Sequence, residues 1–516
     1  MQWSLTPPDA GGLGSWPARR ARITPHNIAV IGNASQHTYA EWAERIARLA
    51  SFLRAQGVRP GDRVAQIGPN QVEVLETFFA SWLLGAICVP LNFRLAAAEI
   101  AYMIEDCGAG FLVESPSAAD LVAGHRNRLP SLVIGPDFEN AIAGSTPLEH
   151  QPEVKLADPA LILYTSGTTG KPKGAVLTHG SLTWNTINQL AHNDYLSSDR
   201  ALCIAPLFHC VGLCQVTLPV LFKGGSVEPV AAFDPARVLQ RIGDARITGF
   251  SAVPTMLQML VDHPAWQAAD LSSLRVVLYG GSPVNERIAR AWLDRGITVQ
   301  QGYGMTEATA GVCGVRSEGV KAKPLSVGVP QFFTDVAVLR DGTVSPICDE
   351  PSELLVRGPN LFAGYWNRAE ATVAATHEGW FRSGDLVRFD DDGWGYVVDR
   401  VKDMIISGGE NVYPAEVEAV ILSDPNVAEA AVVGEPDERW GEVGVAFVTP
   451  RPGCSVDEDS IRRHLESLGR FKRPKRIVIV DRLPRNATGK ILKHELRLQL
   501  ATTPHDSEQV ECKQVN

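Results

Sequence analysis

Residues 64–67 are an apolar run, Pro69-Asn70 breaks it, and Leu75, Phe78, Phe79 and Trp82 then recur at helical spacing before a second apolar run at 87–90. A short continuous run reads as a buried strand and the three-and-four spacing as a helix face. Asn70 followed by Glu73 three residues on reads as a capping box opening that helix. Strand, helix and strand make a βαβ unit, which implies a parallel pair and a right-handed crossover. The alternation returns: strands at 161–164 and 174–179, a helix at 181–190, strands at 201–206 and 276–279, and a helix from Asn285. The fold class is therefore α/β.

The texture changes near Asp399. Before it, short strands are punctuated by glycine in "GWFRSGDLVRFDDDGWGYVVD"; after it, "MIISGGENVYPAEVEAVIL" opens a loop and a helix. Strands at 427–434 and 443–448, a helix at 460–468 and a loop at 483–492 entering a last helix complete the pattern. Two domains are expected, 1–399 and 400–516, the second being of a size that suits a small α+β domain. The charged junction at 399–403 has neither Pro nor Gly and suits a short hinge. The polar tail after Ala501 is expected to be disordered.

Composition narrows the function. The chain has 516 residues, 45% hydrophobic and 21% charged, with a formal net charge of -10. Such an acidic balance argues against general nucleic-acid binding, so an anionic substrate has to be met by local groups. The longest apolar stretch, 78–90, is too short to span a bilayer. The N-terminus lacks the basic and then hydrophobic order of a signal peptide, so a cytoplasmic protein is expected. Nine scattered cysteines form no disulfide framework, and His209, Cys210 and Cys214 lack the second ligand pair that tetrahedral zinc wants.

"LILYTSGTTGKPKG", residues 161–174, carries the first chemistry. It is not the GxxxxGK[ST] loop that runs into a helix, because Gly167 and Gly170 are too close and Lys171 is followed by Pro172. It joins two strands instead. Backbone N–H groups, the hydroxyls of Thr165, Ser166, Thr168 and Thr169, and Lys173 can wrap phosphate oxygens; a mobile polar turn is the plainer reading. "QGYGMTEAT", 301–309, sets an aromatic beside glycine, where a planar base could lie, and adds Thr306 and Glu307 as oxygen ligands suited to Mg²⁺. "RSGDL" offers Asp385 to a ribose, "DRVKDMIISGGENVYPAEVE" places Arg400 near it and a glycine pair beyond, and "LPRNATGKILKHELR" carries Lys490 at a loop-to-helix junction.

In this order the five segments resemble the adenylate-forming superfamily of acyl-CoA synthetases, firefly luciferase and peptide-synthetase adenylation domains, over roughly residues 25–498. The resemblance implies a large N-terminal domain of mixed sheets with flanking helices and a small mobile α+β C-terminal lid. It implies ATP, Mg²⁺ and coenzyme A, and two half-reactions in one cleft: acyl-adenylate formation with release of pyrophosphate, then thioester formation. Thr165, Ser166, Gly167, Thr168, Thr169, Gly170 and Lys173 would surround the β- and γ-phosphates, with Thr168 and Glu307 near the metal. Gly281, Ser282, Gln301 and Tyr303 match the adenine pocket, Thr306 the α-phosphate contact, and Asp385 and Arg400 the ribose contacts. Lys490 matches the lysine bridging substrate carboxylate and α-phosphate, Lys402 the hinge, and Ser407, Gly408 and Gly409 the loop that meets the pantetheine arm.

The acid is read from "PLFHCVGLCQ" and its surroundings. His209 stands at the junction of pocket and adenylate, unless it is only a core histidine. Val211, Leu213, Cys214, Val253, Gly280, Met305, Ala308 and Ala310 supply an apolar, low-volume surface. No Asp stands where an amino-acid substrate would need a partner for its ammonium. The expected acid is a medium or long fatty acid first, then a bulky aryl or terpenoid acid. An acyl-AMP ligase loading a carrier protein is the rival enzyme, and a degenerate nucleotide-binding module the rival without activity. Oligomeric state and peripheral membrane contact stay open.

Overall fold

The computed structural model describes residues 11–33, 35–126, 128–165, 171–281, 286–316, 319–320, 322–408, 410–485 and 491–502. It separates into a large unit, Met1–Asp349 with Leu354–Ser383 and Phe389–Tyr396, and a small unit, Val397–Asn516 with Glu350–Glu353 and Gly384–Arg388.

In the large unit a seven-stranded sheet runs in the order Gly364–Tyr365, Lys173–Thr178, Pro159–Thr165, Ile87–Leu91, Arg63–Ile67, Phe111–Glu114 and Ser131–Val133. Arg63–Ile67 and Ile87–Leu91 are parallel neighbours, Arg63 opposite Ile87, joined by the helix Val72–Leu83. This is the expected βαβ unit. Nearly every residue of that helix is buried, as fits a crossover packed between sheets.

The capping box does not form. Gln71, not Asn70, is the N-cap, and it makes no side-chain cap bond. Asn70 Nδ2 instead donates to the carbonyls of Cys203 and Ala205, both at 2.9 Å, and its Oδ1 accepts from Leu207 N at 2.8 Å. The strand expected at 201–206 is accordingly shorter, Arg200–Cys203. Asn70 takes the backbone groups beyond Cys203 and turns the chain aside.

A nine-stranded sheet has the order Val329–Pro330, Cys313–Gly314, Val299–Tyr303, Val276–Tyr279, Gly249–Ala252, Arg200–Cys203, Ser226–Pro229, Ile28–Ile31 and Gln36–Thr38. Its six inner strands are parallel, and the strands added at its ends are antiparallel. The helix expected from Asn285 is Glu286–Asp294, with Trp292 fully buried. The helix His179–His192 opens on a reciprocal cap: Thr178 Oγ1 accepts from Ser181 N and Ser181 Oγ from Thr178 N, both at 2.9 Å.

The first described residues wedge into this core. Leu13 is fully buried and its N–H donates to His179 Nδ1 at 3.1 Å. A Cβ on Gly14 would stand 2.2 Å from the backbone nitrogen of Leu83, so no larger residue fits there.

The small unit holds an antiparallel sheet in the order Glu410–Val412, Ile405–Ser407, Gly441–Pro450 and Val427–Asp437, with Arg476–Ile479 parallel to Gly441–Pro450. Both faces are covered. Val417, Ile421 and Ile461, from Pro414–Ile421 and Glu458–Leu465, pack with Val432 and Ala446, while Leu483 and Leu496 pack with Val433 and Val445. The last helix is Lys493–Thr502, and the tail at 503–516 lies outside the described residues. Lys493 Nζ pairs with Glu418 Oε1 at 2.8 Å, and Arg497 with Asp403 at 2.9 Å. Among the described residues no helix is long and apolar enough to cross a membrane.

Candidate functional site

Pro159–Thr165 and Lys173–Thr178 are antiparallel neighbours with Thr165 opposite Lys173, so the glycine-rich segment joins two strands. Ser166, Gly167, Thr168, Thr169 and Gly170 lie outside the described residues. Lys173 Nζ sits 5.4 Å from the ring centre of Tyr365, whose hydroxyl donates to Glu307 Oε1 at 2.7 Å. Phe362 N donates to the backbone oxygen of Glu307 at 2.8 Å. Tyr365 is on the edge strand opposite Ala175. Burial, and then the Glu307 charge, push its phenol above the ordinary value. The fold thus brings Lys173 and Glu307 together around Tyr365, a residue that sequence reading passed over. A carboxylate half-buried beside a lysine, steadied through one oxygen, fits a divalent cation carrying phosphate oxygens.

Glu307 lies on the single turn Thr306–Ala308, followed by Thr309 and Ala310 at φ 54° and 71°. Left-handed backbone is costly for residues with a Cβ, about 1–2 kcal/mol each. Buried Asn360 holds the turn: its Nδ2 donates to Ala308 O at 3.2 Å and Gly311 O at 2.6 Å, and Thr309 Oγ1 donates to its carbonyl. Strain kept by such a clamp marks functional turns. Asn360 was also missed, because nothing near it in sequence shows what it reaches.

Gln301 and Tyr303 are buried on Val299–Tyr303, and Tyr279 OH donates to Gln301 Oε1 at 3.0 Å. Gly281 has φ +92° and nothing within 4 Å of its would-be Cβ, leaving the space a planar group needs. Ser282 lies outside the described residues.

His209 precedes the short helix Cys210–Gly212. Its Nε2 is shut from solvent without a partner. Burial, then the charge of Arg94, lower its pKa to about 4, so the ring is neutral at pH 7. Val211, Val253 and Met305 are half-buried, Gly280 is buried, and Ala308 and Ala310 are buried. Leu213 and Cys214 are fully buried within the principal apolar core, where a hydrogen bond with Cys210, and then burial, push the Cys214 thiol well up.

In the small unit Arg400 Nε pairs with buried Asp385 at 2.9 Å. Lys402 is exposed in the turn after Gly395–Arg400. Ser407 is buried, and Gly408, at φ +62°, places its would-be Cβ 2.8 Å from the Trp440 ring. Gly409 and Lys490 lie outside the described residues.

Residues 17–366 match the AMP-binding enzyme family and residues 416–490 the AMP-binding enzyme C-terminal domain. The chain is 49% identical to a feruloyl-CoA synthase from Amycolatopsis sp over 94% of its length and 98% of the relative. It is 37% identical to a long-chain-fatty-acid–CoA ligase from Mycobacterium tuberculosis, covering 95% of this chain and 99% of that one. Among solved structures, o-succinylbenzoate CoA synthetase from Bacillus subtilis with its acyl-adenylate intermediate aligns with a TM-score of 0.85 at 34% identity, covering 95% and 98%. The same enzyme is known with ATP and a magnesium ion.

Proposed function

We propose, from the premise that the chain belongs to the AMP-binding enzyme family and is an AMP-forming acid–thiol ligase using ATP, magnesium and coenzyme A, that its acid is an aryl carboxylic acid of about the size of ferulate. The observation that carries this is the likeness to feruloyl-CoA synthase, well above that to the fatty-acid ligase. It reverses the order of acids expected from side-chain volume alone.

In the first half-reaction a carboxylate oxygen bonds to the α-phosphorus of ATP and the bond to the departing pyrophosphate breaks. In the second, the coenzyme A sulfur bonds to the acyl carbon, the bond to AMP breaks, and the thiol proton leaves to solvent. Thr165 to Gly170 and Lys173 would hold the β- and γ-phosphates, and Glu307, steadied by Tyr365, would hold the metal with Thr168. The metal supplies charge neutralisation on the phosphates. Gly281, Ser282, Gln301 and Tyr303 would take the base, Thr306 the α-phosphate, and Asp385 with Arg400 the ribose.

Neutral His209 would offer the acid an uncharged ring, and Lys490, by its match to the family's bridging lysine, would be the cation that lets two anions meet. At an effective dielectric near 20, an ammonium in contact with both offsets several kcal/mol of repulsion. Lys402 would be the hinge that exchanges Lys490 for Ser407, Gly408 and Gly409 between steps.

The test is a panel of aryl and fatty acids scored for pyrophosphate release and then for coenzyme A consumption. Aryl acids should lead by at least about tenfold in kcat/KM, on the scale of one well-filled pocket. Preference for fatty acids overturns the substrate. Pyrophosphate release without coenzyme A consumption points to the carrier-loading reading.

A further inference from the structure

Buried amides almost always find partners. One group here leaves several acceptor atoms without any. Gln189, His192, Asn193, Gln215, Gln300 and Gln331 line a cavity of about 10 Å³, room for one water molecule. The side-chain oxygens of Asn193, Gln215, Gln300 and Gln331, and His192 Nε2, are shut from solvent with no hydrogen-bond partner. These four amide residues are 7%, 2%, 9% and 4% exposed, in that order.

Gln215 ties the cavity to the acyl site. It lies on the π-turn Leu213–Thr217, six residues after His209, and such turns recur at functional sites. Its Nε2 stands 3.1 Å from where a Cβ on Gly280 would be and 3.2 Å from one on Gly302. Two glycines therefore leave this amide room beside Gly280 and Gly302, and Gly302 and Ala310 also line the cavity. An alkyl end there would offer these polar atoms nothing, whereas a phenolic hydroxyl would donate its one proton to an amide oxygen and accept from an amide N–H.

We propose that this cavity is the far end of the acyl site and that Gln215, with Gln300 and Gln331 around it, receives a phenolic hydroxyl carried by the aryl acid opposite its carboxylate. The inference rests on the aryl reading above and deepens it. Burial also holds His192 below its ordinary pKa, against the opposing pull of the Val315 and Gly314 carbonyls, which keeps the ring uncharged.

The experiment measures pyrophosphate release by the full chain with 4-hydroxy-3-methoxycinnamate and with its analogue lacking the 4-hydroxyl. Sites built to bond a substrate hydroxyl can reject the analogue without it by 10⁴ or more. Wild type should favour the hydroxylated acid by at least about tenfold in kcat/KM. Gln215→Leu should reduce turnover of the hydroxylated acid at least about tenfold more than that of the analogue, bringing the two acids together. Gln331→Leu, read the same way, stands in if Gln215→Leu does not fold. A wild-type ratio within about twofold overturns the proposal, as does equal loss on both acids in the variants, which would mark a structural cluster holding water. Aryl turnover with a flat ratio sinks this inference alone; turnover of fatty acids with no aryl acid sinks the parent reading with it.

Discussion

Around Gln215 and His192 in the large unit the buried polar side chains are neutral and several of their atoms have no partner, whereas in the small unit Glu418, Lys493, Asp403 and Arg497 are ionic and paired. Burial pushes the Glu418 carboxyl up, against Lys493 and the Val432 N–H, which pull it down. Burial also works against charge on Asp403, but Arg497, Lys493 and Lys402 outweigh it and hold its carboxyl below the usual range. Polarity completed by the chain itself is scaffold. Polarity left incomplete costs about 1–3 kcal/mol per group unless water or a ligand completes it.

The contrast is broken most sharply at Lys493. Lys493→Met should cost about 3 kcal/mol in denaturant unfolding, because Glu418, 18% exposed, is left with only the Val432 N–H. Adding Glu418→Leu should restore most of it; a single-variant loss under about 1 kcal/mol would mean the pair behaves as a surface one. Next in size, Lys490→Ala should slow pyrophosphate release by about 10²–10³ while changing thioester formation from a preformed acyl-adenylate by less than about threefold. Lys402→Pro should do the reverse, impairing the second step more than the first. Equal damage to both steps in both variants breaks that division of labour.

Acid should weaken the large unit through its buried neutral histidines. Burial holds His179 and His209 at about 4, against 6.5 for an unconstrained imidazole. The unfolded chain therefore binds more protons between pH 6.5 and 4, and stability is full above that window and lost as pH falls through it, at about 1.4 kcal/mol per unit for each ring. Denaturation midpoints from pH 7 to 4.5 check this, and His179→Gln should flatten the slope. Smallest is Tyr365→Phe, which removes one hydrogen bond to Glu307 and should cost about 1 kcal/mol, read as a roughly fivefold lower kcat/KM for MgATP with folding intact.

Much of the architecture is written in local pattern. The βαβ unit, the hairpin flanking the glycine-rich segment and the helices at 179 and 286 all follow from period and from glycine spacing. What escapes is the side chain that acts at a distance. Asn70 reads locally as a cap, yet it serves Leu207, 137 positions on. Tyr365, Asn360 and Gln215 carry no local mark, and their partners are known only once the sheets have formed. The order of acids is hard to read for a similar reason: glycines and alanines report how much room a pocket has, not which side chains separate strands and turns bring beside it.

The opening segment bears on handling. Because Leu13 is locked to His179 and Gly14 lies against the backbone of Leu83, residues 11–16 are a cork in the main core. At this end an affinity tag should be tolerated ahead of Gly11 but not within residues 11–16. Protease trimming past Trp16 would uncover indole and aliphatic surface and invite aggregation.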